Sequence, residues 1–268
     1  MKMKSIILLC LGLVLFTSCA SWREERAFRK EFGLNAPRKT TEIVFTDEEI
    51  VLDGKLDESA WAKATPYEMQ HTFVLEMNSK RCPKVLATRQ AIQFQESVVR
   101  FLRTKDTLYL GVEMKDKDVH NFAKDGDILL FRTGDTVELF IKSEKSSRYW
   151  ELYATPTGHV ANLQYEARNF SRSNLNDIID GYRTAATVQG TVNDCSDTDE
   201  GWCVEIAVPI KAIEEYFGVP FDASGKWTIF ASRYDYYYGQ EDLMLTSHPR
   251  MPMANWHAYE YWARVLFK

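Results

Sequence analysis

From residue 98 onward, apolar and polar positions alternate in short runs that read as β-strands. The runs are Val98–Arg103, Leu108–Met114, Thr136–Lys142, Tyr149–Ala154, His159–Tyr165, Ala185–Val192, Trp202–Val208, Trp227–Asp235 and a final Tyr261–Phe267. Each is rich in β-branched or aromatic residues and is bounded by Asp, Gly, Asn or Lys. Only Ile210–Phe217 (IKAIEEYF), entered through Pro209, carries a helical period. That helix is too small to form a second layer, so the pattern predicts an all-β fold: an antiparallel β-sandwich with one or two short helices.

The stretch from Gly134 to Tyr165 organises the rest. Val137, Leu139 and Ile141 alternate with Glu138 and Phe140, and after the polar turn 143–148 the run Tyr149–Ala154 returns as a second strand. Antiparallel pairing puts Glu138 on a sheet surface with Glu151, Tyr153 or Thr155 as neighbours. A carboxylate among aromatics on a sheet suits sugar hydroxyls.

Earlier segments are less regular. In VLDGKLDESAW, Asp53-Gly54 marks a turn, and Asp57 is placed to cap a short helix containing Glu58, Ala60 and an inward-packing Trp61. The region Tyr67–Gln95 shows no clean period, and a strand is expected near Thr72–Glu76. At the N-terminus, Lys2 and Lys4 precede an apolar run of 11 residues, Ile6–Phe16. That is well short of the ~20 needed to cross a bilayer as a helix, and it reads as a signal peptide. The residues Phe16-Thr17-Ser18-Cys19 resemble a lipobox, which implies cleavage after residue 18 and acylation of Cys19 in a bacterial envelope, most simply the outer membrane. The expected organisation is a signal peptide over 1–18, a charged tether over 19–42 and one sandwich over 43–268.

Losing Lys2 and Lys4 moves the formal net charge from −5 to −7. With no basic stripe, this argues against nucleic acid. Beyond Cys19 only Cys82, Cys195 and Cys203 would remain, neither a disulfide scaffold nor a zinc array. Cys195 and Cys203 flank a polar turn and could close across a hairpin end in an oxidising compartment, leaving Cys82 as a buried small hydrophobe. Asp116, Asp118, Asp125 and Asp127 have oxygen-ligand chemistry suited to calcium but no EF-hand spacing. No GxSxG, HExxH or phosphate-cradling glycine loop is present.

Several segments together resemble family 9 carbohydrate-binding modules: Asp53-Gly54 with Asp57, Glu58 and Trp61; Leu108-Tyr109-Leu110 leading to Asp116; Asp135 to Phe140; Gly201-Trp202 with Val204, Glu205 and Pro209; and Asn255-Trp256-His257 through Phe267. The resemblance implies a sandwich related to DOMON domains, often with bound calcium, for which Asp116 and Asp118 are the candidates. It implies sugar held between two tryptophans. Trp256 falls on one of these, while the other falls near Phe131 or Arg132, so the clamp is Phe131 with Trp256 or is lost. Glu138 falls on a glutamate that bonds sugar hydroxyls, Tyr153 on a family arginine and Thr155 on a family asparagine. Asn255 completes the candidate ligand set.

The reading is a lipid-anchored, non-catalytic protein that holds oligo- or polysaccharide for partner glycoside hydrolases or transporters. Competing readings are a structural lipoprotein without a sugar site, a glycosidase using Glu138 and Glu151, or a haem module using Met251, Met253 and His257. Tyr236, Tyr237 and Tyr238 beside Gly239 could form an aromatic rim. His257 is expected to support Trp256, and Trp150, Trp202 and Trp262 are expected to be packing.

Overall fold

The computed structural model describes residues 22–76, 95–171, 177–237 and 243–268. Among them, strands hydrogen-bond along one continuous path that doubles into two layers. The first layer holds β6 (Thr136–Ser143), β7 (Tyr149–Ala154), β8 (Val160–Ala167), β9 (Phe170–Ser171), β12 (Trp227–Asp235), β13 (Met244–His248) and β14 (Ala263–Phe267). A short β3 (Gln70–His71) pairs with β13. The second layer holds β4 (Ser97–Arg103), β5 (Thr107–Lys115), β10 (Arg183–Gln189) and β11 (Gly201–Pro209), with β2 (Tyr67–Glu68) on β4.

β1 (Thr40–Phe45) joins the layers. Its first half pairs with β14, and then Val44 and Phe45 pair with β4, parallel in both cases. The sandwich is therefore antiparallel except at this strand, which the sequence pattern did not show.

The alternation sorts side chains as expected. Val137, Leu139, Ile141, Trp150, Leu152, Ile229 and Ala231 face Val99, Phe101, Leu110, Val112, Val204 and Ile206 in one buried core. Helix Ile210–Phe217, ending at Gly218 with φ +69°, closes one end of that core through Ile213 and Phe217.

On the outer face of the second layer, helix Ser59–Lys63 buries Trp61. Its N-cap is Glu58 rather than Asp57, without a side-chain cap of its own. The carboxylate of Glu48 accepts from Ser59 N–H at 3.1 Å and from its hydroxyl at 2.7 Å instead. Nearby, Gly54 has φ +83° and its Cα lies so close to the β10 backbone that a Cβ would sit 2.6 Å from Ala186 C. The turn is fastened by buried Glu205, whose Oε2 accepts from Asp53 N–H at 3.0 Å and Gly54 N–H at 2.9 Å. Glu205→Ala removes that acceptor and should cost about 1–3 kcal/mol, measured by urea unfolding; a change below about 0.5 kcal/mol would show that the turn holds without it.

The N-terminal segment packs on the sandwich, where the sequence led us to expect a charged tether. Residues 22–32 are helical, and Phe28 and Phe32 lie 5.5 and 5.8 Å from the ring of Phe73. Phe32 also meets Tyr261 at 5.8 Å, and Lys39 bonds Glu31 at 2.9 Å. Phe28 and Phe32, four residues apart on this helix, thus form a docking stripe. Residues 73–76 form a helical turn, not the strand expected there.

Cys195 and Cys203 are free thiols rather than a disulfide. The β10–β11 register puts Cys203 opposite Thr187, two residues inside the strands, while Cys195 lies exposed in the connecting turn. Cys19, Cys82, Tyr238 and Gly239 lie outside the described residues.

Candidate functional site

The outer face of the first layer carries the predicted constellation. Glu138 and Phe140 on β6, Tyr149, Glu151 and Tyr153 on β7, and Phe230, Ser232 and Tyr234 on β12 share this face by strand alternation. Loops over residues 128–133 and 249–262 cover it, contributing Leu130, Met251, Trp256 and Trp262 to a second apolar cluster.

Glu138 is fully buried, opposite Tyr153 on one side and Ser232 on the other. Its Oε2 accepts from the Ser232 hydroxyl at 2.5 Å, while Oε1 is buried with no hydrogen-bond partner among the described residues. Glu151, one diagonal step away, accepts from the hydroxyls of Tyr153 and Tyr165. Burial pushes the Glu138 carboxyl well above the usual range; the neighbouring Glu151 pushes it further and the Ser232 bond pulls it back. Burial likewise raises Glu151, against the pull of its two tyrosine hydroxyls. No ion pair reaches either group among the described residues.

The aromatic surroundings are continuous. Phe131 lies 6.3 Å from the ring of Tyr153 and 5.2 Å from that of Tyr234, and Tyr234 in turn lies 6.4 Å from Trp256. Trp256 is only 5% exposed and rests on Phe230 at 5.3 Å. The predicted pair Phe131 and Trp256 is therefore bridged by a protein ring, Tyr234. The half-buried Tyr236 ties the rim down, donating its hydroxyl to Phe131 O at 2.5 Å.

The remaining candidates divide. Arg132 is exposed, its guanidinium 5.5 Å over the Phe131 ring, and Asn255 is exposed beside Trp256. Thr155 is buried, but its hydroxyl is spent on the main chain of His159, accepting from N–H and donating to O. His257 supports the face, its Nδ1 2.9 Å from the Tyr149 hydroxyl. Trp150, Trp202 and Trp262 are packing, each at most 2% exposed.

The chain resembles two solved structures. A Bacteroides uniformis protein proposed to bind carbohydrate matches with TM-score 0.59 and 14% identity, over 87% of this chain and 100% of the other. A family 9 carbohydrate-binding module from Caldicellulosiruptor kristjanssonii, solved with cellotriose, matches with TM-score 0.51 and 12% identity, over 86% of this chain and 94% of that one. The fold is that of a family 9 module. No protein-family model matches the chain, and neither does any curated protein. At this identity the likeness is one of fold, so the roles of side chains in this family 9-like sandwich rest on their own geometry.

At one end of the family 9-like sandwich, carboxylates do converge, but not as the pair Asp116 and Asp118. Oxygens of Asp116, Asp135 and Asp235 lie within 4.8 Å of one another. The fully buried Arg233 sits among them, 2.8 Å from Asp116 and 3.3 Å from Asp235. Asp135 accepts from His120 N–H and Tyr236 N–H, both at 2.8 Å, and Gln95 donates to Asp116 at 3.3 Å and to Asp235 at 3.1 Å. Calcium requires oxygen lone pairs aimed at a common point. Here those lone pairs meet N–H donors, and an arginine already supplies the positive charge, so these residues do not fit a calcium ion. Asp118 instead donates its main-chain N–H to Asp116 at 3.1 Å.

Sequence reading missed Ser232, Tyr234 and Arg233. The signal was present in WTIFASRYD: alternation places Phe230, Ser232 and Tyr234 on one face and Ile229, Ala231 and Arg233 on the other. An arginine on the core face implies carboxylates near it.

Proposed function

We propose that the protein is a non-catalytic carbohydrate-binding module of the bacterial envelope, anchored through acylated Cys19 and holding glycan for partner hydrolases or transporters. The observation that carries this reading is Glu138: a buried carboxyl with an unanswered oxygen on an aromatic sheet face. Sugar rings offer C–H faces to such rings and hydroxyls to such an oxygen. A module of this fold from Caldicellulosiruptor kristjanssonii was solved with cellotriose.

The pairing also favours binding over hydrolysis. Glycosidases place their two carboxyls on opposite sides of the scissile bond. Glu138 and Glu151 lie on adjacent strands of one face, so a ligand on that face meets both from the same side.

The test is a glycan-array screen of the mature chain, with and without calcium, repeated with Glu138→Ala. Loss of a hydrogen bond to a charged or polarised carboxyl should weaken binding by about 10-fold to 100-fold in protein whose cooperative unfolding transition shows that it is folded. Absence of binding across plant, algal and host glycans would replace this reading with a structural lipoprotein. Anchoring is checked separately: Cys19→Ser should abolish incorporation of a labelled fatty acid, and persistent labelling would refute acylation at this position.

A further inference from the structure

Building on the carbohydrate-binding reading, we propose that the site takes an amino sugar, its protonated amine seated against Glu138 Oε1 within the ring of Tyr153, Tyr234 and Trp256. Two acidic side chains, Glu138 and Glu151, share one buried face. Their hydrogen-bond partners among the described residues are hydroxyls: Ser232 for Glu138, Tyr153 and Tyr165 for Glu151. Among the described residues no lysine, arginine or histidine forms an ion pair with either. Arg132, at the rim, is exposed and lies over the Phe131 ring.

A neutral hydroxyl would give Glu138 Oε1 a donor but no charge to balance ionisation of the buried carboxyl. An ammonium group supplies charge and up to three donors at once. The aromatic faces add to this, because ring quadrupoles attract cations most strongly where water is excluded. Trp256 contributes a face of its indole to this surface.

The groups facing Glu138 are Ser232 and Tyr234 from β12, Glu151 and Tyr153 from β7, Tyr165 from β8, and Tyr236 just beyond β12. None carries positive charge. In the free protein burial and the neighbouring Glu151 favour the protonated form of Glu138. An entering ammonium balances the ionised form instead, and the proton leaves the carboxyl for solvent. Entry requires the half-buried rings of Phe131, Tyr234 and Tyr236 to give way, since they form the outer part of the cluster.

The experiment is isothermal titration of the mature chain near pH 6 with three matched trisaccharides, bearing hydroxyl, acetamido or free amino groups at the same ring position. Galactosamine and mannosamine, each with its neutral parent sugar, complete the panel. Each titration is run in two buffers of different ionisation enthalpy. The amine is expected to bind at least tenfold tighter than its neutral counterparts, with release of up to one proton per site. Glu138→Gln should remove both the preference and the proton release.

Neutral sugars that bind as tightly as their amines would overturn this inference and leave carbohydrate binding intact. Failure of every sugar to bind would remove both readings. Amine binding that is unchanged by Glu138→Gln would place the contact elsewhere on the acidic surface and overturn the inference.

Discussion

Arg233→Met should destabilise the protein by about 3–5 kcal/mol, because it strands buried carboxylates without their counter-charge. Arg233 is fully buried on the core face of β12 and reaches across the sandwich end to Ser97 at 2.8 Å and to Asp116 at 2.8 Å. It therefore ties the first layer to β4 and β5 of the second, where apolar packing alone would leave the strand ends free to separate. The deficit should depend on pH. Burial raises Asp235 to about 7, against the downward pull of Arg233, and burial with the charges of Asp116 and Asp235 raises Asp135. A carboxyl whose folded pKa exceeds its unfolded value takes up its proton more readily when folded. Its burial penalty is thus absent below the unfolded pKa and fully present above the folded one. Without Arg233 these pKa values rise further, so the loss should be larger at pH 8 than at pH 5. Urea unfolding at both pH values measures it. A loss under about 1 kcal/mol, or one equal at the two pH values, would mean that Arg233 is not the balancing charge.

Periodicity located β4 to β8, β10 to β12 and β14 within a few residues because each has one face against the core, and a buried face writes itself as alternation. It was silent on β1, whose two halves serve different layers, on β9, which is two residues long, and on β13, whose own Thr246, Ser247 and His248 interrupt the apolar pattern. At the site, alternation was enough to bring Glu138, Tyr153 and Glu151 to one surface. It could not reveal that Tyr234 bridges Phe131 and Trp256, since that depends on where the 128–133 and 249–262 loops settle over the sheet. The same limit explains the thiols: Cys195 and Cys203 flank a turn in sequence, but the register of β10 on β11 separates them. It explains the acids too, because Asp116 meets Asp135 and Asp235 only when the two layers close around Arg233.

Trp256→Ala should lower stability by about 3–5 kcal/mol, the range for deleting a large core aromatic. A tryptophan that serves only as a sugar platform would be exposed and nearly neutral to fold stability. Trp256 is 5% exposed, rests on Phe230 and Tyr234, and its carbonyl accepts from Trp262 Nε1 at 2.8 Å. In a chain of this size each kcal/mol corresponds to roughly 2–4 °C, so the midpoint should fall by about 6–20 °C. Lost glycan binding in that variant would then be ambiguous between a missing platform and a collapsed loop. Trp256→Phe separates the two: it keeps a ring against Phe230, should cost only about 1–2 kcal/mol, and removes Nε1 and half the indole face. If Trp256→Phe keeps its fold but loses affinity along with Glu138→Ala, the indole is both a core residue and a ligand contact. A Trp256→Ala protein that melts within a degree or two of the native chain would show that the loop over 249–262 stands open in solution, with Trp256 available from the start.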